Sequence, residues 1–148
     1  MEVKFTIPGN PRGKQRPRLC KFNGKSYVYT PKETADYEKL VRSRYLQAYN
    51  LCFEKNVPLE VFILASFNIP KKINKNLKTL MLAGAIYPTK KPDCDNIIKI
   101  VLDGLNGVAY HDDSQICKIH FKKNYSEAPG VAVLIRNIGE IYEHNKNL

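Results

Sequence analysis

No apolar run in the 148 residues approaches the ~20 that a membrane-crossing helix needs, so neither a span nor a membrane partner is expected. A signal-peptide pattern is missing too, because charged and apolar residues alternate from Glu2 to Ile7. There is no C-x-x-C pair. Cys20, Cys52, Cys94 and Cys117 are far apart, which argues against a zinc site and for four free thiols in a reducing compartment. The expected location is therefore the cytoplasm, where the Asn124-Tyr125-Ser126 triplet is a chance match to a glycosylation signal. Internal repeats and linkers are also absent, so residues 1–148 are expected to form a single domain.

Acidic residues are scarce: 14 Asp and Glu stand against 24 Lys and Arg, for a net charge of +10. The excess is uneven. Residues 1–30 carry Lys4, Arg12, Lys14, Arg16, Arg18, Lys21 and Lys25 against Glu2 alone, and residues 70–92 carry Lys71, Lys72, Lys75, Lys78, Lys90 and Lys91 against no acid. Clustered cations on a folded domain point to a polyanion, most often nucleic acid. A 43% hydrophobic content with 9 Tyr and 6 Phe is enough for one core.

Alternation in Val3, Phe5 and Ile7 predicts a strand that Pro8-Gly9 stops. Residues 10–18 hold two prolines and a glycine and no apolar anchor, so they form a basic loop. It is not a phosphate-binding loop: Gly9 to Gly13-Lys14 is one residue short, and Gln15 stands where a Ser or Thr would hold magnesium. Leu19 to Tyr29 reads as a hairpin around Asn23-Gly24, whose aromatic residues more often pack than stack on bases. Thr30-Pro31-Lys32-Glu33 predicts a capped helix start, and helical spacing runs to about Leu51. After Pro58, residues 59–69 alternate with a partly apolar second face, the pattern of a central strand covered on both sides.

Residues 71–85 predict a short basic helix with Leu77, Leu80 and Met81 turned inward. The next helix is expected from Asp93 to Asn106 on a stripe of Ile97, Ile98, Val101, Leu102 and Leu105, with Asn106-Gly107 as its stop. Two further strands, around Cys117–Tyr125 and Val131–Ile135, are expected to pair as an antiparallel hairpin, followed by a polar tail. The fold class is α+β: a mixed sheet with helices packed on one face.

Against the basic background, Asp93, Asp95, Asp112 and Asp113 bracket one helix. Asp95, Lys99 and Asp103 recur every fourth residue and share its polar face. The strand after Asp113 could bring that residue back beside Asp93 if it pairs next to the central strand. Each acid singly has a plain structural use: a helix cap contributes ~1 kcal/mol, and an Asp95–Lys99 pair ~0.3–0.5 kcal/mol. Gathered carboxylates otherwise need protonation or a cation, and hard divalent ions bind carboxylate oxygen while leaving room for a phosphodiester. On the residues alone both readings stay open. His111, beside Asp112, reads as a surface residue.

The ordered string Lys91-Pro92-Asp93-Cys94-Asp95-Asn96-Ile97-Ile98-Lys99, then Leu102-Asp103-Gly104-Leu105-Asn106-Gly107, then Asp112-Asp113-Ser114-Gln115-Ile116 resembles the RusA family of Holliday junction resolvases. The resemblance extends more loosely to Ile7-Pro8-Gly9, Arg16-Pro17-Arg18, Thr30-Pro31 and the final strands. It implies a homodimeric endodeoxyribonuclease that uses Mg²⁺ or Mn²⁺ and resolves four-way DNA junctions by paired nicks in strands of like polarity. Such enzymes serve recombination and repair and are often encoded by prophages. Carried over by motif position, Asp93, Asp95 and Asp113 are the implied metal ligands, and Lys99 the lysine that orients water or stabilises phosphorane charge. Asp103 and Asp112 match family positions as well.

Two departures stand out. Cys94 replaces a bulky aliphatic residue, and the segment before Asp112 is about one residue shorter than in some relatives, which bears on whether Asp112 or Asp113 faces the metal. Arg12, Lys14, Arg16, Arg18, Lys71, Lys72, Lys90 and Lys91 are the candidate DNA contacts. The rival readings are a non-catalytic DNA-binding module and a metal-dependent nuclease for flaps, duplex or RNA.

Overall fold

A computed structural model describes residues 1–139, so the expected tail lies almost wholly outside the described residues. Strand β1 (Glu2–Pro8) buries Val3, Phe5 and Ile7 in strict alternation. It pairs antiparallel with β6 (Gly130–Asn137), which pairs antiparallel on its other side with β4 (Leu59–Asn68). Strand β5 (Ile116–Ser126) lies parallel to β4, giving a mixed four-stranded sheet in the order β1-β6-β4-β5.

The last two strands are therefore not the expected hairpin. β5 is reached from β4 through two helices, and such a crossover delivers a parallel neighbour. β6 then passes across the end of β4 and fills the gap beside β1, where Val131, Val133 and Ile135 are buried.

Helix α1 (Lys32–Ala48) and helix α3 (Cys94–Leu105) pack on one sheet face. The two buried clusters take only odd-numbered residues of β4, namely Leu59, Val61, Ile63, Ala65 and Phe67. The opposite face, with half-exposed Phe62 and Leu64, forms no such cluster, so β4 is central but not covered on both sides as its composition suggested. Phe62 is instead flanked by side chains: the His120 ring stacks on it at 4.3 Å, and Arg136 lies 5.2 Å from its centroid. Both residues also hold Glu60, whose carboxyl is kept below its ordinary range by hydrogen bonds from Arg136 and then His120.

The start of α1 differs from the capping box expected of Thr30 and Glu33 in Thr30-Pro31-Lys32-Glu33. Pro31 is the cap residue and no side chain caps the helix. Glu33 has turned outward, where Gln15 donates to it at 3.2 Å and Arg12 lies 3.8 Å away. The short helix α2 (Lys75–Leu82) is capped by Asn74, whose side chain accepts from the Leu77 amide at 2.9 Å. It buries Met81 only, and Leu77 and Leu80 face solvent, contrary to the inward stripe expected.

The hairpin β2 (Arg18–Phe22) and β3 (Lys25–Tyr29) turns at Asn23 and Gly24, both with positive φ, as that dipeptide favours. Every residue in its strands is exposed. Its aromatics lie outside the core. Register sets Phe22, Tyr27, Tyr29, Arg18 and Lys25 on one side of this two-stranded arm.

Candidate functional site

Asp93 caps α3 with extended backbone, and Asp95 lies in its first turn. Both carboxylates are exposed, and neither takes part in a side-chain hydrogen bond or ion pair among the described residues. A helix N-terminus tolerates this negative charge because its free amides point outward. The α3 stripe beneath is Ile97, Ile100, Val101, Leu102, Gly104 and Leu105, so Ile100 joins the core and Ile98 is only half-buried.

The basic loop is built onto this helix end. The Lys14 amide donates to the Asn96 carbonyl at 2.8 Å. A Cβ on Gly13 would stand 2.7 Å from Pro92 Cβ and 3.1 Å from Asn96 Cβ, so only glycine permits this approach. The result is a cleft of ≈ 280 Å³ whose walls include Arg12, Gln15, Lys91 and Asp93. From the other side, Lys123 Nζ donates to the carbonyls of Lys90 at 2.8 Å and Pro92 at 2.7 Å, and so fixes the turn that presents Asp93. Sequence reasoning missed this lysine. Its signal was available: Lys123 occupies an inward position of β5, between Phe121 and Tyr125.

Of the predicted DNA contacts, Arg16, Arg18, Lys71, Lys72, Lys90 and Lys91 have no carboxylate within 4.0 Å among the described residues. Lys14 differs. It is largely buried, bonded to Glu38 and 2.9 Å from Asp103. Burial opposes its charge, but its bonds to Glu38 and Asp103 outweigh that and raise its pKa above the ordinary 10.5. Burial likewise favours neutral Asp103, yet Lys14 and Lys99 hold its carboxyl below the ordinary 3.8.

The linkage follows in sign. Lys14 stabilises below pH 10.5 and loses its contribution as pH rises through its raised pKa; Asp103 stabilises above 3.8 and loses its contribution as pH falls through its lowered one. Lys14→Met is expected to cost about 2 kcal/mol near neutral pH. Urea unfolding across pH should show that loss shrinking towards both extremes; a constant difference would contradict the assignment.

Lys99 pairs with Asp103 at 3.0 Å rather than with Asp95, and remains 58% exposed. Asp112 accepts from the Ser114 hydroxyl within a tight 3-10 turn over Asp113–Gln115. Gln115, another residue sequence reasoning overlooked, locks this turn: it donates to the Glu54 and Val57 carbonyls at 2.9 and 3.2 Å and accepts from the His111 and Asp112 amides. The Asp113 carboxylate accepts no hydrogen bond among the described residues, so of the neighbouring pair it is the free one.

The structure does not bring Asp113 to Asp93 and Asp95. β5 does pair beside β4, but Asp113 stands at the start of β5, whereas Lys123, seven residues into the strand, marks the end near Asp93. The 12 residues of α3 span about 18 Å at 1.5 Å each, with Asp93 at one end and the Tyr110–Leu102 hydrogen bond near the other. Tyr110, whose pKa is raised by burial and then by Asp113, Asp103 and Asp112, has those three acids as its electrostatic neighbours. Among the described residues no three His, Cys, Asp or Glu side chains are grouped to hold a metal.

Residues 8–136 match the family model described as endodeoxyribonuclease RusA. The chain is 34% identical over 141 residues to the uncharacterized protein YqaN of Bacillus subtilis (strain 168), covering 92% of this chain and 96% of that one. It is 27% identical over 141 residues to the crossover junction endodeoxyribonuclease rusA of Lactococcus phage r1t, covering 93% and 98%. No helix among the described residues is long and apolar enough to cross a membrane.

Proposed function

The chain belongs to the RusA endodeoxyribonuclease family, and from that membership we propose that it is a cytoplasmic, structure-selective endonuclease that resolves Holliday junctions. It hydrolyses phosphodiesters by paired symmetric nicks, works as a homodimer in recombination and repair, and uses Mg²⁺ or Mn²⁺. The observation that carries this reading is the contrast at the start of α3. Two exposed carboxylates without protein donors among the described residues, Asp93 and Asp95, follow the uncompensated cations Lys90 and Lys91, and Lys91 lines one cleft with Asp93.

Two such carboxylates suit part of the oxygen ligand set of a hard divalent ion, which supplies Lewis acidity toward a phosphodiester. Asp113, the third acid of the motif, is not grouped with them among the described residues.

The chain's own residues divide the remaining work. Arg12 and Lys91 hold backbone phosphates at the cleft, and Arg16, Arg18, Lys71, Lys72 and Lys90 extend the basic surface. Lys123 keeps the Lys90–Pro92 turn in place. Lys99, exposed on the same helix face as Asp95, exchanges Asp103 for the phosphate and contributes a point charge as negative charge develops on phosphorus.

Incubation of a synthetic four-way junction with the protein should give nicked products with Mg²⁺ or Mn²⁺ and none with EDTA. Equal cleavage in EDTA would overturn the metal-dependent reading.

A further inference from the structure

The arm of β2 and β3 takes no part in the core. Its strands pair only with each other, and every residue in them is exposed. A two-stranded hairpin is marginal in water without a further surface to pack on. Yet Phe22 is 66%, Tyr27 50% and Tyr29 47% exposed. Rings gathered on a free arm mark a surface that meets something else.

The register sorts the arm into two unlike sides. Arg18 pairs with Tyr29, Cys20 with Tyr27 and Phe22 with Lys25, so one side interleaves rings with cations. The other side carries Leu19, Val28, Lys21 and Ser26. Tyr27 and Tyr29 stand about 7 Å apart along β3, which lets successive bases of a splayed strand find separate rings. Arg18, Lys21 and Lys25 are the arm's only charges, and no acid occurs between Glu2 and Glu33. That surface repels a second copy of itself. It attracts a polyanion with open ring faces, whose phosphates suit the cations and whose bases suit the rings.

The root of the arm is fixed to the candidate site. The Gln15 amide donates to Thr34 Oγ1 at 3.2 Å, and the Lys14 amide to the Asn96 carbonyl at 2.8 Å. Arg12, Gly13, Lys14 and Gln15 wall the same cleft as Lys91 and Asp93. β2 begins at Arg18, just after this loop, and β3 ends at Tyr29, just before α1 starts at Lys32. Both roots of the arm are therefore held beside the cleft.

We propose that the Phe22, Tyr27 and Tyr29 side of the arm stacks on unpaired DNA bases at the branch point, and so selects junctions over duplex. The inference rests on the reading of the chain as a junction endonuclease. Within a duplex each base is stacked on its neighbours and its faces are closed to the protein. Bases freed at a branch point offer those faces at low cost. Stacking accepts any base, so the arm reads structure rather than sequence.

The chain has no tryptophan, so one introduced indole reports the contact. Tyr27→Trp places it on the ring side of the arm and Val28→Trp on the other. The full-length variants are titrated in EDTA with oligothymidylate, a four-way junction and a blunt duplex. Emission of Tyr27→Trp should fall at least about twofold with oligothymidylate and with the junction, and far less with duplex, while Val28→Trp changes little. Equal quenching of the two indoles, equal quenching by duplex, or none would overturn the proposal. So would a change in Tyr27→Trp emission that follows protein concentration without DNA, which would assign the rings to a second copy.

Tyr27→Leu keeps the apolar bulk and removes the ring. It should weaken oligothymidylate binding about tenfold with an unchanged salt slope, whereas Arg18→Gln should reduce that slope by about one. Unaltered affinity of Tyr27→Leu would contradict stacking. Nicking of the junction in Mg²⁺ is read separately. Nicking without quenching removes the arm's role and leaves the endonuclease reading; quenching without nicking removes that reading and leaves an arm that binds unpaired bases.

Discussion

Asp93→Asn is expected to bind a four-way junction as tightly as the unaltered protein, or more tightly, while its cleavage rate falls on the order of 10³-fold or more. The substitution keeps the shape of the cap and removes one charge from an exposed side chain that supports no hydrogen bond in the fold. Stability should therefore change little, since caps of either type are similarly favoured. In the proposed function, binding rests on separate cations, Arg12, Arg16, Arg18 and those of residues 71–91, and loss of a nearby negative charge eases the approach of phosphate. Gel-shift and cleavage assays on one labelled junction measure both effects. Undiminished cleavage would return Asp93 to the role of a simple cap, the reading that residue type alone left open.

The second large effect is on stability. Gly104→Val should destabilise the protein by at least about 3 kcal/mol and lower its melting midpoint by roughly 6–12 °C. At the α1–α3 crossing a Cβ on Gly104 would lie 2.8 Å from Val41 Cβ and 3.1 Å from the Glu38 carbonyl oxygen. Val41 is fully buried, and the Glu38 oxygen is backbone, so neither can yield without moving α1. The intrinsic gain from replacing a helical glycine is below ~1 kcal/mol and does not offset that strain. The same shift would disturb Lys14, which bonds both Glu38 on α1 and Asp103 on α3. Thermal unfolding followed by circular dichroism decides; an unchanged midpoint would mean the two helices are less tightly apposed than described.

Elements with a strong local signature were legible in the sequence. Val3, Phe5 and Ile7 announced β1, Asn23-Gly24 the hairpin, and the spacing from Ile97 to Leu105 the α3 core stripe. What local pattern does not encode is which strand meets which. β5 and β6 look like a hairpin across Pro129-Gly130, but the vacancy between β1 and β4 decides their places. The capping box failed for the same reason: Glu33 was drawn to Arg12 and Gln15, which belong to a distant part of the chain. Exposure of Leu77 and Leu80 likewise depends on how little of the molecule α2 touches. At the site, the order of the acidic motif was readable and its two-ended geometry was not, because a parallel β5 starts at the far end from Asp93. Lys123 could have been found from its inward position in β5, whereas Lys14 and Gln115 owe their roles to contacts that no spacing predicts.

Strand-by-strand mapping of the cut sites tests the central claim most directly. A mobile four-way junction, labelled on each strand in turn, is incubated with the protein and Mg²⁺ beside matched duplex and flap controls. Junction resolution predicts nicks at symmetric positions in one pair of strands of like polarity, with the duplex and flap intact. An untouched junction beside a cut duplex or flap would contradict it.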